Sequence, residues 1–375
     1  MGYLIVLTFS WFDSLISKSK GILLTACAFA WMAYLGGDAS PTTTLDYASY
    51  EYYYNLLVTG LPGNRMEWCY TLLSNVAINY NLDYATFRIL LVSATFLVLF
   101  FTVLRLTKKP VLFASIFMLF PFFNEVTQVR SFVAYTIVLL GISFMRYKVS
   151  FKGILFFELS VLLAMGFHSS AGIFLFLPII SMVIQKRGIA KIFKEVTIFS
   201  ILFACFLMIM SVGNVFVNLI GSVLNVVAGP QVSSTFVNLM SHSDGSTVLF
   251  VTVFFSYVGL TSILYLCVDN NHCLTYLKDD PMFKICFSLL LFIELLVPML
   301  LISRDLVRFP RFGFEVCFLV IGTILFALEK NNQTKTWFLI FSILCISVGG
   351  WEIYYVYGPP FWDSIPYIAH LINES

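Results

Sequence analysis

Residues 84–104 read YATFRILLVSATFLVLFFTVL, an apolar run whose only charged side chain is Arg88. At about 1.5 Å per residue a helix of that length covers roughly 30 Å, the thickness of a bilayer's hydrocarbon core. Period-2 alternation is absent from the run. Lipid offers the backbone no hydrogen-bond partner, so such a segment has to satisfy its own amides as a helix. Arg105, Lys108 and Lys109 follow immediately, the kind of basic flank that stays on the cytoplasmic side.

The same pattern repeats along the chain. Apolar runs cover residues 3–16, 21–36, 84–104, 110–123, 131–147, 153–167, 169–185, 195–213, 248–268, 283–302, 312–328 and 336–357. The 375 residues are 59% hydrophobic and 11% charged, with mean hydropathy +0.91. Soluble globular proteins carry about 25% charged residues. A water-soluble domain, a disordered chain and a disulfide-rich secreted module are therefore excluded. The expected fold is all-α: a polytopic membrane bundle of about 11–13 helices forming a single integral-membrane domain over 1–375. No length remains for a separate soluble catalytic domain. The N-terminus has neither a basic leader nor a small-residue cleavage site, and reads as a retained first span. The eight cysteines show no C-x-x-C and lie mostly inside apolar runs, as small packing residues do.

Orientation follows from the connections. Sixteen of the 22 cationic residues fall in alternate connections, around Lys18, Lys109, Lys148, Lys191, Lys284 and Lys335, which places that side in the cytoplasm. The remaining six are Arg65, Arg88, Arg130, Arg304, Arg308 and Arg311; none is lysine. The positive-inside bias accounts for missing outer lysines but not for outer arginines, so a need for guanidinium in particular is expected there. Residues 37–83 are expected to form an extracytoplasmic loop with interfacial helices, and 214–247 a second extracytoplasmic loop.

Five groups of polar residues stand out on that side. Thr43 with Asp46 fits a helix-capping pattern, and the following helix carries Tyr47, Tyr50, Tyr53 and Tyr54, a density suited to a membrane–water interface. Asp46 is otherwise explained as a first-turn acid complementing the helix dipole. Glu67 and Tyr70 are one turn apart in a second candidate interfacial helix; the bland alternative for Glu67 is a solvated acid. The turn Glu125 to Arg130 sets a carboxylate, Gln128 and a guanidinium between two apolar helices, where ionisable groups are expensive; a Glu125–Arg130 pair that closes the turn is the simpler explanation. His168, in Gly166-Phe167-His168-Ser169-Ser170, stands where one run ends and another begins. A lone histidine is usually a packing residue, but this one has small hydroxylated neighbours. Finally, Arg304, Arg308 and Arg311 are spaced by four and three, so that one helical turn would present all three together. Planar donor forks match phosphate and diphosphate oxygens, whereas headgroup anchoring works equally well with lysine.

Nucleotide-driven chemistry has no support, since neither a Walker loop nor G-x-G-x-x-G occurs. Zinc spacings and a D-x-D carboxylate pair are also absent from the sequence, and no basic stripe suggests nucleic acid. Neither a metal nor another cofactor is expected.

Read in order, Leu45-Asp46-Tyr47-x-x-Tyr50, Glu67-x-x-Tyr70, Gln128-x-Arg130-x-x-x-Ala134, Phe167-His168-Ser169-Ser170-Ala171, the outer arginines and Ile365-Pro366-Tyr367 resemble the EpsG family of Wzy-like polysaccharide polymerases. The resemblance spans nearly the whole chain and is densest over 124–171. Ser131 stands where the family often has glutamine, and Thr44-Leu45 where a glycine often precedes Asp-Tyr. The resemblance implies a metal-independent GT-C-like glycosyltransferase of the bacterial plasma membrane. It would join oligosaccharide repeat units carried on undecaprenyl pyrophosphate, on the outer face, for capsule, exopolysaccharide or O-antigen. Donor and acceptor are then both lipid-linked oligosaccharides in the bilayer, and a flippase and a chain-length regulator are the partner proteins to expect. For that reaction Arg130, Arg304, Arg308 and Arg311 are the candidates to hold the departing diphosphate. His168, then Glu67 and Asp46, are the candidate proton acceptors. Tyr47, Tyr50, Tyr70 and Gln128 would contact or position sugars, and His168 is expected to pair with Arg130. Three alternatives remain: a ligase using the same donor, a flippase of lipid-linked oligosaccharides, and a membrane acyltransferase.

Overall fold

Turn and capping residues divide the apolar runs into helices. Asp83 accepts from Thr86 N at 2.8 Å to start one, Ser150 accepts from Gly153 N at 3.1 Å to start another, and Asp280 caps a third with Pro281 in its first turn. The chain was studied as a computed structural model, which describes residues 2–16, 21–39, 41–42, 44–60, 66–145, 150–209, 247–270, 272–330 and 336–357, with isolated residues between 218 and 237. Thr43, Arg65, residues 365–367 and nearly all of the expected loop 214–247 lie outside the described residues.

Among the described residues there are helices and no strand. In chain order they are α1 (Gly2–Ile16), α2 (Ile22–Gly37), α3 (Tyr47–Val58), α4 (Trp68–Asn79), α5 (Tyr84–Leu106), α6 (Pro110–Leu119), α7 (Phe122–Thr127), α8 (Val129–Phe144), α9 (Phe151–Met165), α10 (Leu177–Arg187), α11 (Ile189–Ile209), α12 (Thr247–Asn270), α13 (Pro281–Leu296), α14 (Arg308–Lys330) and α15 (Thr336–Tyr357). Short 3-10 turns, Ser169–Phe176, Val297–Leu301 and Arg304–Val307, lie at the junctions that matter for the site. Among the described residues five helical stretches are long and apolar enough to cross a membrane: Tyr84–Leu106, Ser169–Arg187, Thr247–Asn270, Pro281–Leu301 and Arg304–Lys330. The protein is an all-α polytopic membrane protein. The run 110–123 is not one helix. It breaks into α6, about 15 Å long, and the short α7. Residues 110–118 of α6 are all buried, so its short length is covered by protein and not by lipid.

Between helices in lipid the hydrophobic effect is weak, and close packing has to hold them. Aromatic rings supply much of it. Phe96 lies 4.9 Å from Phe132, and Tyr135 stacks on Phe312 at 4.8 Å, centroid to centroid. At one end of the bundle α14 finishes against the 107–109 turn, where buried Lys109 meets Glu329 at 2.8 Å. Gly322 permits this approach, because a Cβ there would stand 2.6 Å from Thr107 Oγ1. Lys109 is thus tied into the fold and is more than a topological charge.

At the opposite end of α14, some 30 Å away by helix rise, α4 docks on the end of α9. A helix start leaves its first amides without intrahelical partners. Here the Gly166 carbonyl accepts from Cys69 N at 2.8 Å and Tyr70 N at 3.1 Å. A Cβ at Gly166 would lie 2.6 Å from Cys69 Cβ and 2.7 Å from the Trp68 ring. This junction carries Glu67, the residue preceding α4, to the region of Ser169. Gly166→Val is therefore expected to leave the helical bundle folded in circular dichroism but to push α4 off α9. The protein's activity in cells should fall at least tenfold; unchanged activity would show that the junction does not set the site.

Candidate active site

Three chain segments meet beside the α4–α9 junction: the start of α8, the turn at 168–170, and the start of α14. With the residue preceding α3 they enclose a cavity of about 680 Å³. Its walls include Asp46, Tyr50, Gln128, Arg130, His168 and Arg308. Six of the eleven residues singled out from sequence thus line one space, although they are spread over more than 260 positions of chain.

Arg130, in the first turn of α8, forms an ion pair with Glu67. Its guanidinium lies over the Tyr50 ring, 5.3 Å from the centroid. Buried Arg130 Nε has no hydrogen-bond partner among the described residues. Glu67 uses its other oxygen to accept from Ser169 N at 3.2 Å. With both oxygens engaged, Glu67 holds Arg130 in place and is poorly arranged to take a proton. Tyr50 is a platform for Arg130, a contact worth about 0.5–2 kcal/mol.

Arg308 opens α14. Its Nε donates to the Asp305 carbonyl at 2.6 Å, and its Nη1 lies 2.7 Å from His168 Nε2. The expected His168–Arg130 pairing is replaced by His168–Arg308, because Arg130 is already taken by Glu67. On the other side of the ring, His168 Nδ1 is 2.8 Å from Ser170 Oγ. Burial, followed by the charges of Arg308, Arg130 and Arg311, pushes His168 down to about 3. The imidazole is neutral at pH 7 and, with its proton affinity lowered, a weak base in the resting site. Asp46 adopts φ 62°, left-handed backbone that non-glycine residues rarely take, and its side chain makes no capping bond to the helix it precedes. Its carboxylate lines the cavity. Strain of this kind, of order 1–3 kcal/mol, concentrates at functional sites.

The other candidates lie elsewhere. Arg304, Arg308 and Arg311 do not present one common face, because a 3-10 turn precedes α14. Arg304 is exposed and outside the cavity wall, and Arg308 lines it. Arg311 is fully buried, its Nε 2.5 Å from Glu125 Oε1 in an ion pair and its Nη2 donating to Gln128 Oε1 at 2.9 Å. The Glu125–Arg130 pair is likewise not formed; Glu125 belongs to Arg311. Arg311 therefore reaches the cavity only through Gln128. Tyr47 is buried, edge-on to Tyr84 at 5.0 Å and under Arg88 at 5.2 Å, and Tyr70 is buried behind Tyr50 at 6.2 Å. Neither lines the cavity. Arg88 is buried too, donating to the Val126 carbonyl at 2.6 Å and so tying α5 to α7. Ser303, Asp305, Met299 and Phe309 line the cavity without having been singled out, as does Ser131, noted only where the family often has glutamine. Ser303, Asp305 and Phe309 belong to the arginine-rich segment, which was the available signal; Met299 gave none. Among the described residues no three His, Cys, Asp or Glu side chains cluster as a metal set would.

Helices of this length and apolarity, closed at one end over paired guanidiniums and a neutral imidazole, define a membrane protein with a cavity suited to an anionic group. The family model for the EpsG family matches residues 21–367, nearly the whole chain, and the protein belongs to that family of Wzy-like polysaccharide polymerases. Neither a curated protein nor a solved structure matches it.

Removing one partner of a buried ion pair leaves an uncompensated charge and costs about 3–5 kcal/mol. Glu125→Ala and Arg311→Ala should each lower the unfolding midpoint in detergent sharply. The double replacement Glu125→Leu with Arg311→Met should lose less than the two single losses added together. Additive losses would show that the pair is not coupled. Arg304→Ala should leave both melting and polymer yield near normal.

Proposed function

We propose that this polymerase acts on polyprenyl-diphosphate-linked oligosaccharides, of the undecaprenyl type, at the outer face of the bacterial plasma membrane, and that it does so without a metal. The observation that carries the reading is the pair of guanidiniums, Arg130 from α8 and Arg308 from α14, lining one cavity with His168. In the transfer, an acceptor sugar hydroxyl attacks the anomeric carbon of the donor chain. The bond from that carbon to the diphosphate oxygen breaks, and the lipid diphosphate leaves with the electron pair. The hydroxyl proton passes to His168. Negative charge grows on the leaving group as the bond breaks, and donors already in position stabilise it at little reorganisation cost. Arg130 is held by Glu67 and Tyr50, and Arg308 by the Asp305 carbonyl, so each fork keeps N–H groups to offer.

The cavity lies at the end of α14 away from the Lys109–Glu329 pair, and Lys186 and Lys330 stand near the far ends of the helical stretches Ser169–Arg187 and Arg304–Lys330, whose starts line it. By the positive-inside bias this supports an outward-facing site. A gathering of polar groups at one end also favours transfer over flipping, which needs a path open to both sides. A ligase would use the same cavity and donor; product analysis separates the two.

Purified protein in liposomes, supplied with a polyprenyl-diphosphate-linked repeat unit, should yield a ladder of lengthened lipid-linked chains. A single transfer to a non-repeat acceptor would support the ligase. Arg130→Lys should reduce the ladder more than tenfold, because a point charge does not reproduce the fork. Lys186→Ala, exposed at the other end of the bundle, should leave the rate unchanged. A full ladder from Arg130→Lys would count against Arg130 as a diphosphate ligand.

A further inference from the structure

A neutral imidazole carries one proton and one bare nitrogen. Around His168 three groups compete for those two nitrogens. Arg308 Nη1, 2.7 Å from Nε2, can only donate. Nε2 must therefore be the bare nitrogen, and Nδ1 carries the proton. Ser170 Oγ, 2.8 Å from Nδ1, is the acceptor in reach, while Ser170 N–H at 3.3 Å also points at Nδ1 and would favour the opposite tautomer. The hydroxyl decides. Ser170 Oγ is itself 3.3 Å from Tyr135 Oη, and Tyr135 is locked between Phe312 at 4.8 Å and Phe174 at 6.0 Å.

We infer that Ser170, backed by Tyr135, is a positioning residue for His168: by accepting the hydrogen bond from Nδ1–H it keeps bare Nε2 toward Arg308, so that a diphosphate drawing Arg308 away uncovers the proton acceptor. The inference rests on the diphosphate reading of the cavity and adds its order of events. At rest His168 is a poor base, with Arg308 against Nε2 and Arg130 and Arg311 nearby. Asp46, Asp305 and Glu67 are the acids around the same space, and Glu67 is already committed to Arg130. An arriving diphosphate brings negative charge to the guanidiniums. Burial still disfavours the imidazolium, but the added repulsion from Arg308, Arg130 and Arg311 is cancelled, and the ring's proton affinity rises just when a hydroxyl proton has to be taken. The proton leaves the acceptor hydroxyl and ends on Nε2, with Nδ1–H still bonded to Ser170.

The test is nitrogen-15 NMR of histidine-labelled, full-length protein in lipid nanodiscs, with the His168 signals identified by their loss in His168→Gln. At pH 7 the expected pattern is a protonated Nδ1 and a bare Nε2, with no titration down to pH 5. Ser170→Ala should lose this fixed pattern, and Ser170→Thr should keep it. Saturating inorganic pyrophosphate should raise the titration midpoint by at least about one pH unit. In the liposome assay Ser170→Ala should lower kcat by roughly tenfold, within the range a general base contributes, with KM little changed and the Thr variant restored. A proton on Nε2 in the unaltered protein, an unchanged ring in Ser170→Ala, or an unmoved midpoint with pyrophosphate bound would each overturn the inference. Failure of pyrophosphate to bind would instead sink the diphosphate reading and leave the tautomer assignment standing, whereas a full ladder from His168→Gln would overturn the inference, since His168 would then not be the proton acceptor.

Discussion

Charge inside an apolar bundle has to be paired, and the site is a consequence of how this chain does it. Arg311 and Glu125 are both fully buried, and at that depth either one without the other would be a costly uncompensated charge. Together they clamp the start of α14 to α7 and fix Gln128 through the second fork of Arg311. Arg88 pins the other side of α7 by its bond to the Val126 carbonyl. With α7 held from two sides, Arg130 emerges three residues later at a defined place, and Glu67 reaches it from the start of α4. The buried pair carries no chemistry of its own; it sets where the half-exposed one stands.

The half-exposed layer is organised differently. Arg130 and Arg308 each keep part of their donor set on the cavity while being held from behind, one by a carboxylate and an aromatic face, the other by a backbone carbonyl. His168 is neutral because it is surrounded by cations as well as buried. The resting site thus has anion-binding capacity without a competent base, and the anion itself supplies what the base lacks. That ordering would protect a lipid-linked intermediate from proton chemistry before both substrates are in place.

Much of the fold was legible in the apolar runs, since each becomes helical over its described part. The break of 110–123 into α6 and α7 was not, because a short helix wholly inside protein obeys no length rule set by lipid. The site was legible as residue types: guanidiniums, a histidine beside serines, and tyrosines near an acid. Their pairing was not. Spacing along 304–311 suggested one shared face, but a 3-10 turn rotates Arg304 out to solvent and leaves Arg311 inside. Glu67 stood as a candidate base until its two partners, 63 and 102 positions away, showed both oxygens occupied. Tyr135 carried no signal at all, for its role depends on Ser170 arriving from another helix. Belonging to the EpsG family agrees with the motif order, and it is the tertiary contacts that distinguish Arg308 from its two neighbours.

The central claim is that two forks, one on α8 and one on α14, together bind a lipid diphosphate. Equilibrium binding of undecaprenyl diphosphate and undecaprenyl monophosphate to the purified protein in nanodiscs tests it most directly. The account predicts that the diphosphate binds at least tenfold more tightly, and that replacing Arg130 and Arg308 together by glutamine abolishes the preference. Equal affinity for the two lipids, or a preference that survives the double replacement, would contradict it.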